Sequence, residues 1–156
     1  MSLTTETLIT SISNLSITLR SAKTLTILTD STVPESALGL GGVMFPRPND
    51  FITDMVIEQD TYGHNGSEKQ TIKYSMHYVF CDNPVGSGRS LGNNYDVLLA
   101  DVLAILNKVA ISDTLGGAID FRLGDLEGFG TVLDPTEKHP FYGALFKFDV
   151  EQLFEV

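Results

Sequence analysis

The chain has 156 residues, the size of one domain, and at that length folding hides roughly 68–70% of the extended-chain surface, enough for a core without disulfides or metals. Ten Lys and Arg against 20 Asp and Glu give a formal charge of −10, which argues against a nucleic-acid-binding surface built on clustered cations. Only 19% of residues are charged, below the roughly 25% of ordinary soluble domains, so much of the surface must be neutral, the kind another subunit covers.

In chain order, Leu8, Ile12, Leu15 and Leu19 fall on one helical face. Thr4 or Thr5 can cap that helix, and its end falls between Asn14 and Ser21. Thr24–Leu28 reads as a short strand. Residues 34–50, with Pro34, Gly39, Gly41, Gly42, Pro46 and Pro48, read as a surface loop. Residues 51–60 and 69–81 form a long β-hairpin. In its second strand Ile72, Tyr74, Met76, Tyr78 and Phe80 alternate with Lys73, Ser75 and His77, the period of a half-buried antiparallel strand. Asn65-Gly66 lies at the reversal, where both residues tolerate positive φ.

A flexible loop over 84–93 follows, and then the strongest helix. Asn93 or Asn94 caps it, Asp96 and Asp101 sit early and Lys108 late, as the helix dipole favours, and Asp113 to Gly117 closes it. Leu98, Val102, Ile105, Leu106 and Val109 make its apolar stripe. Two strands end the chain, Ala118–Leu123 and Pro140–Val150, joined by a loop over 124–139. In the last, Tyr142, Ala144, Phe146, Phe148 and Val150 alternate with Phe141, Leu145, Lys147 and Asp149. The expectation is one α+β domain over residues 1–156, with a mostly antiparallel sheet of about four strands and two helices packed on one face.

Candidate chemistry is thin. The single cysteine, Cys81, rules out an internal disulfide and a cysteine zinc site. His64, His77 and His139 are scattered, and a nucleophile–His–acid constellation needs a convergence that spacing does not supply. Gly86-Ser87-Gly88-Arg89-Ser90-Leu91-Gly92 lacks the Lys-Ser/Thr of a phosphate loop. Asp120, Asp125 and Glu127 read as solvated acids rather than a metal cluster. No cofactor or metal is expected. No basic start with an apolar h-region marks a signal peptide. No apolar run nears the ~20 residues of a membrane span, so no membrane partner is expected. Phe141 and Leu145 leave the last strand apolar on its second face, a patch for another subunit, and that strand's free edge is a further candidate.

The N-terminal helix, the hairpin strand Thr71–Phe80, the helix Tyr95–Leu106 and the closing strand Phe141–Val150 together resemble the tail terminator (tail-completion) proteins of long-tailed bacteriophages and related neck proteins, over roughly residues 3–156. The resemblance implies a non-enzymatic virion protein, assembled in the host cytoplasm, that forms a homo-oligomeric, hexameric ring on the tail tube. The ring stops tube polymerisation and meets the head connector, and DNA passes through its channel without specific binding. Another head–tail connector or minor tail protein is the alternative, and a small-ligand-binding or enzymatic α+β domain the more distant one. No site transfers residue by residue. From the residues themselves, His64, Asn65, Gly88, Arg89, Phe141 and Leu145 are candidate interface positions, and Asp120, Asp125 and Glu127 candidate channel-facing acids.

Overall fold

The computed structural model describes residues 5–20, 24–30, 41–60, 69–84, 95–111, 120–133 and 140–155. Its elements are α1 (Thr5–Ser13), β1 (Thr26–Ile27), β2 (Val43–Pro46), β3 (Ile52–Asp60), β4 (Lys69–Pro84), α2 (Tyr95–Ala110), β5 (Asp120–Leu133) and β6 (Pro140–Glu155). All six strands belong to one sheet of order β1-β2-β4-β6-β5, with β3 also pairing β4. β1 and β2 run parallel, and the remaining pairs are antiparallel.

This overturns the expected α+β domain with a mostly antiparallel sheet of about four strands and two helices packed on one face. The protein is mostly sheet: six strands, mixed in direction, with two short helices. β2 lies inside the stretch expected to be a loop. Gly41 and Gly42 precede it with φ of 71° and 70°. A Cβ on Gly41 would sit 2.0 Å from the Asp82 carbonyl oxygen. Here glycine serves close approach to β4 rather than a solvent loop. Gly42 N–H then donates to that same Asp82 carbonyl at 2.8 Å, which places β2 against β4.

β5 likewise runs ten residues beyond its expected end, from Leu123 to Leu133. Its register slips between Leu123 and Asp125 and again between Leu126 and Gly128. Such bulges break the period of two, so the strand did not advertise itself as one.

β4 and β6, 16 residues each, form the spine, roughly 50 Å long at ~3.4 Å per residue. They pair along nearly their whole length. β2 and β3 share one edge of β4: β2 takes Tyr78–Cys81 and β3 takes Lys69–Met76. One sheet face carries Tyr74, Met76, Tyr78 and Phe80 of β4 with Ala144, Phe146, Phe148 and Val150 of β6, as the alternation predicts. Leu8 and Ile12 of α1 and Leu98, Val102, Ile105 and Val109 of α2 join them in the main core. The opposite face holds a smaller apolar cluster of Val43, Phe45, Val79, Cys81, Val132 and Phe141.

Candidate functional site

The second sheet face has two halves. At the β2 end it is apolar, with Leu28 and Leu145 packed against the smaller cluster. Toward β3 it becomes a field of charges. Cross-strand rows place Lys73 opposite Glu151, Ser75 opposite Asp149, and His77 opposite Lys147. β5 continues the rows with Asp120 opposite Glu151, Arg122 opposite Asp149 and Asp125 opposite Lys147. Lys73 with Glu151, Arg122 with Asp149 and Asp125 with Lys147 set opposite charges side by side, and such neighbours offset one another. Ser75 Oγ donates to Asp149 Oδ1 at 2.9 Å. Lys73 Nζ meets Glu58 at 3.3 Å, and Lys147 Nζ lies 3.8 Å from Asp54. Both acids stand well out in solvent, where such pairs contribute little. Asp54, Lys73, Ser75, Arg122, Asp149 and Glu151 line a shallow concavity of about 240 Å³.

His77 is the hub of this half. Its side chain is only 5% exposed. Nδ1 lies 2.6 Å from Glu127 Oε1 and Nε2 lies 2.7 Å from Thr53 Oγ1. A carboxylate oxygen only accepts, so Nδ1 carries the proton; in the neutral ring Nε2 then accepts from the Thr53 hydroxyl. Arg47 N–H donates to the His77 carbonyl, and His77 N–H donates to the Phe51 carbonyl. The Arg47 guanidinium donates to the Asn49 and Asp50 carbonyls and approaches Glu127 at 4.0 Å. The imidazole therefore ties β3 to β5 across β6, and the His77 backbone holds the turn between β2 and β3.

Hydroxyl, imidazole and carboxylate stand in the order of a nucleophile, base and orienting acid. The concavity beside them is lined by neither Thr53 nor His77. The three groups form a satisfied polar bridge inside a sheet face. The alternation of β4 put His77 on its polar face, but both partners lay out of reach of pattern reading. They are 24 and 50 residues away, one of them beyond an intervening strand.

The expected site residues divide accordingly. His64, Asn65, Gly88 and Arg89 lie outside the described residues. Phe141 is 3% exposed, its ring packed within the chain, and Leu145 is half-buried beside it. The last strand has no free edge, because β6 is held between β4 and β5; it had seemed terminal only because it ends the chain. Asp120 opens β5 opposite Glu151. Asp125 is exposed and accepts from the Leu126 N–H at 2.8 Å. Glu127 is engaged by His77. Among the described residues no group of His, Cys, Asp and Glu is placed to hold a metal ion, and no helix is long and apolar enough to cross a membrane.

The surface with the strongest unmet demand is lateral. Among the described residues β3 and β5 each have one edge that pairs with no strand, and these edges lie on opposite sides of the sheet. On β3, Met55, Val56 and Ile57 are 51–58% exposed. On the other flank Tyr95, Leu99 and Leu103 form a second stripe of α2, 48–57% exposed, with Phe129 and Leu133 of β5 also exposed. The Tyr95 and Phe129 rings lie 6.5 Å apart, which joins the helix stripe to the β5 edge. Helical spacing of i, i+4, i+8 puts the three α2 residues on one line, beside the buried stripe that anchors the helix. Nothing in the sequence sets this stripe apart from the buried one, since both repeat at helical spacing. No protein-family model matches the chain, and no curated protein gives a significant match.

Proposed function

We propose that this chain is a ring-forming structural protein of a long-tailed phage virion: a tail terminator that caps the tail tube, stops its polymerisation and offers the surface on which head and tail join. Six copies close the ring, and the protein works through surfaces rather than by turnover. The observation that carries the reading is the pair of unburied apolar flanks on opposite sides of one sheet. A closed cyclic assembly needs two different patches, each meeting the other on a neighbour. A monomer with no such need would not leave two apolar patches in water on unpaired strand edges.

The charge fits the same role. A net charge of −10 repels phosphate, so a channel through such a ring lets DNA slide without sticking. Asp125, which is exposed, is the acid offered to that channel, with Asp120 in the same strand. Glu127 contributes less, since His77 and Arg47 hold it.

Electron microscopy of the purified protein tests the reading. Closed rings with a central channel, and shortened tubes when the protein is added to polymerising tube subunits, are the expected result. Open filaments, or tubes whose lengths ignore the added protein, would contradict it.

A further inference from the structure

We infer that His77 is a conformational relay between the two flanks: through its two ring nitrogens, the carboxylate at a bulge of β5 sets the hydroxyl at the bulge of β3. The relay is a property of one chain; its use in assembly rests on the ring reading above.

Both bonds of the imidazole end where the sheet slips. In β5, Leu126 pairs with Phe146 and Gly128 with Leu145, so Glu127 is the extra residue of that bulge. In β3, Thr53 pairs with Ser75 and Val56 with Lys73, so an extra residue follows directly after Thr53. Asp54 at that point has a φ of 56°, uncommon for a non-glycine residue. From β4, His77 reaches Thr53 on one side at 2.7 Å and, over β6, Glu127 on the other at 2.6 Å. Each bulge adjoins an exposed apolar set. Met55, Val56 and Ile57 follow the first, and Phe129, against Tyr95, stands two residues beyond Glu127.

The bridge has two arrangements. In the one observed, Nδ1 carries the proton and donates to Glu127, while Nε2 accepts from the Thr53 hydroxyl. Arg47 is the rival for the carboxylate: its guanidinium lies 4.0 Å from the same Glu127 oxygen. A shift of the β5 bulge that carries Glu127 onto Arg47 leaves Nδ1 without an acceptor. The ring then gives the Nδ1 proton to water and takes one from water at Nε2, so it stays neutral. Nε2 now donates to Thr53 Oγ1, and the hydroxyl turns its own hydrogen away from the ring. A movement in β5 thereby reverses the hydrogen bond that holds the β3 bulge. Such coupling is reciprocal. In the ring, a neighbour seated on Phe129 acts on one end of the relay, and the flank that meets the next copy lies at the other.

The test compares the full chain with Glu127→Ala, Glu127→Gln and Thr53→Val. Nitrogen NMR of the imidazole, at a pH where the ring is neutral, reads the tautomer, and amide hydrogen exchange reads the two bulges. Wild type should carry the proton on Nδ1. Glu127→Ala should move it to Nε2 and speed exchange over Asp54–Ile57 by about fivefold or more, with the intervening Phe146–Phe148 amides of β6 unchanged. Glu127→Gln keeps an acceptor and should restore both readings. Thr53→Val should speed exchange over Leu126–Phe129 in return, and it serves if Glu127→Ala fails to fold. A proton that stays on Nδ1 in Glu127→Ala, exchange at the far bulge that stays at the wild-type rate, or exchange that rises equally in every strand would overturn the relay and leave the ring reading standing. Light scattering after size exclusion tests its use in assembly. Glu127→Ala should have a lower mass than wild type at equal concentration, and Glu127→Gln should not. Equal multi-subunit masses for all three would overturn that use, whereas a wild type that is monomeric at every concentration would overturn the ring reading itself.

Discussion

Tyr78 has no exposed surface, and its hydroxyl finds no hydrogen-bond partner among the described residues. Its ring packs edge-on against Phe51 and Phe148. Tyr74 beside it donates to Gln152 Oε1 at 2.6 Å, so one of two neighbouring phenols is satisfied and the other is not. An unsatisfied buried hydroxyl costs about 1–3 kcal/mol. Tyr78→Phe should therefore leave the protein as stable or more stable, by up to ~1 kcal/mol, in urea unfolding at neutral pH. Burial, and after it the nearby Tyr74, raises the Tyr78 pKa above the tyrosine norm. The folded state keeps the phenol neutral, while the unfolded chain ionises it from about pH 10. Its contribution is present in full below that pH and is lost as pH rises above it. The Tyr78→Phe variant should lose less stability than wild type between about pH 9 and pH 11. Glu127→Ala makes the opposite test: it strips an acceptor from a nearly buried imidazole and should cost about 1–3 kcal/mol in the same assay.

Between elements, the spine of β4 and β6 bears most of the packing. Phe146 is fully buried and stacks on Phe148 at 5.8 Å. Phe146→Ala should cost about 3–5 kcal/mol in chemical denaturation. Gly143 lies where β6 crosses Cys81 of β4, and a Cβ there would stand 1.9 Å from the Phe80 carbonyl oxygen. Gly143→Ala should lower stability by at least ~1–3 kcal/mol, read as a fall in melting temperature. The spine was legible because an uninterrupted period of two runs through Ile72–Phe80 and Tyr142–Val150. So was α2, whose buried stripe repeats at helical spacing. β2 and the far half of β5 were not, because glycines that permit close approach or bulging look in sequence like glycines that permit a loop. The exposed and buried apolar positions were harder to tell apart. Phe141 reads as a spare apolar side chain until the fold closes a second cluster around it, whereas Leu99 and Leu103 fall outside the apolar stripe read from the sequence and are exposed in the fold.

For the whole molecule, the distribution of apolar surface matters more than its amount. Both sheet faces are furnished from within the chain: one by the helices and the main core, the other by a small cluster and a lattice of opposed charges around His77. Among the described residues the two flanks carry most of the exposed large apolar side chains, and they differ from one another, as the unlike interface of the proposed ring requires. Dilution should weaken such an assembly and leave the fold intact, since the main core lies within one chain. Sedimentation velocity of the wild-type protein over a wide range of concentration measures this most directly. Self-association through unlike flanks predicts a discrete particle near six times 17.0 kDa that gives way to folded monomer on dilution. A sedimentation coefficient fixed at the monomer value, even at the highest concentration, would contradict it.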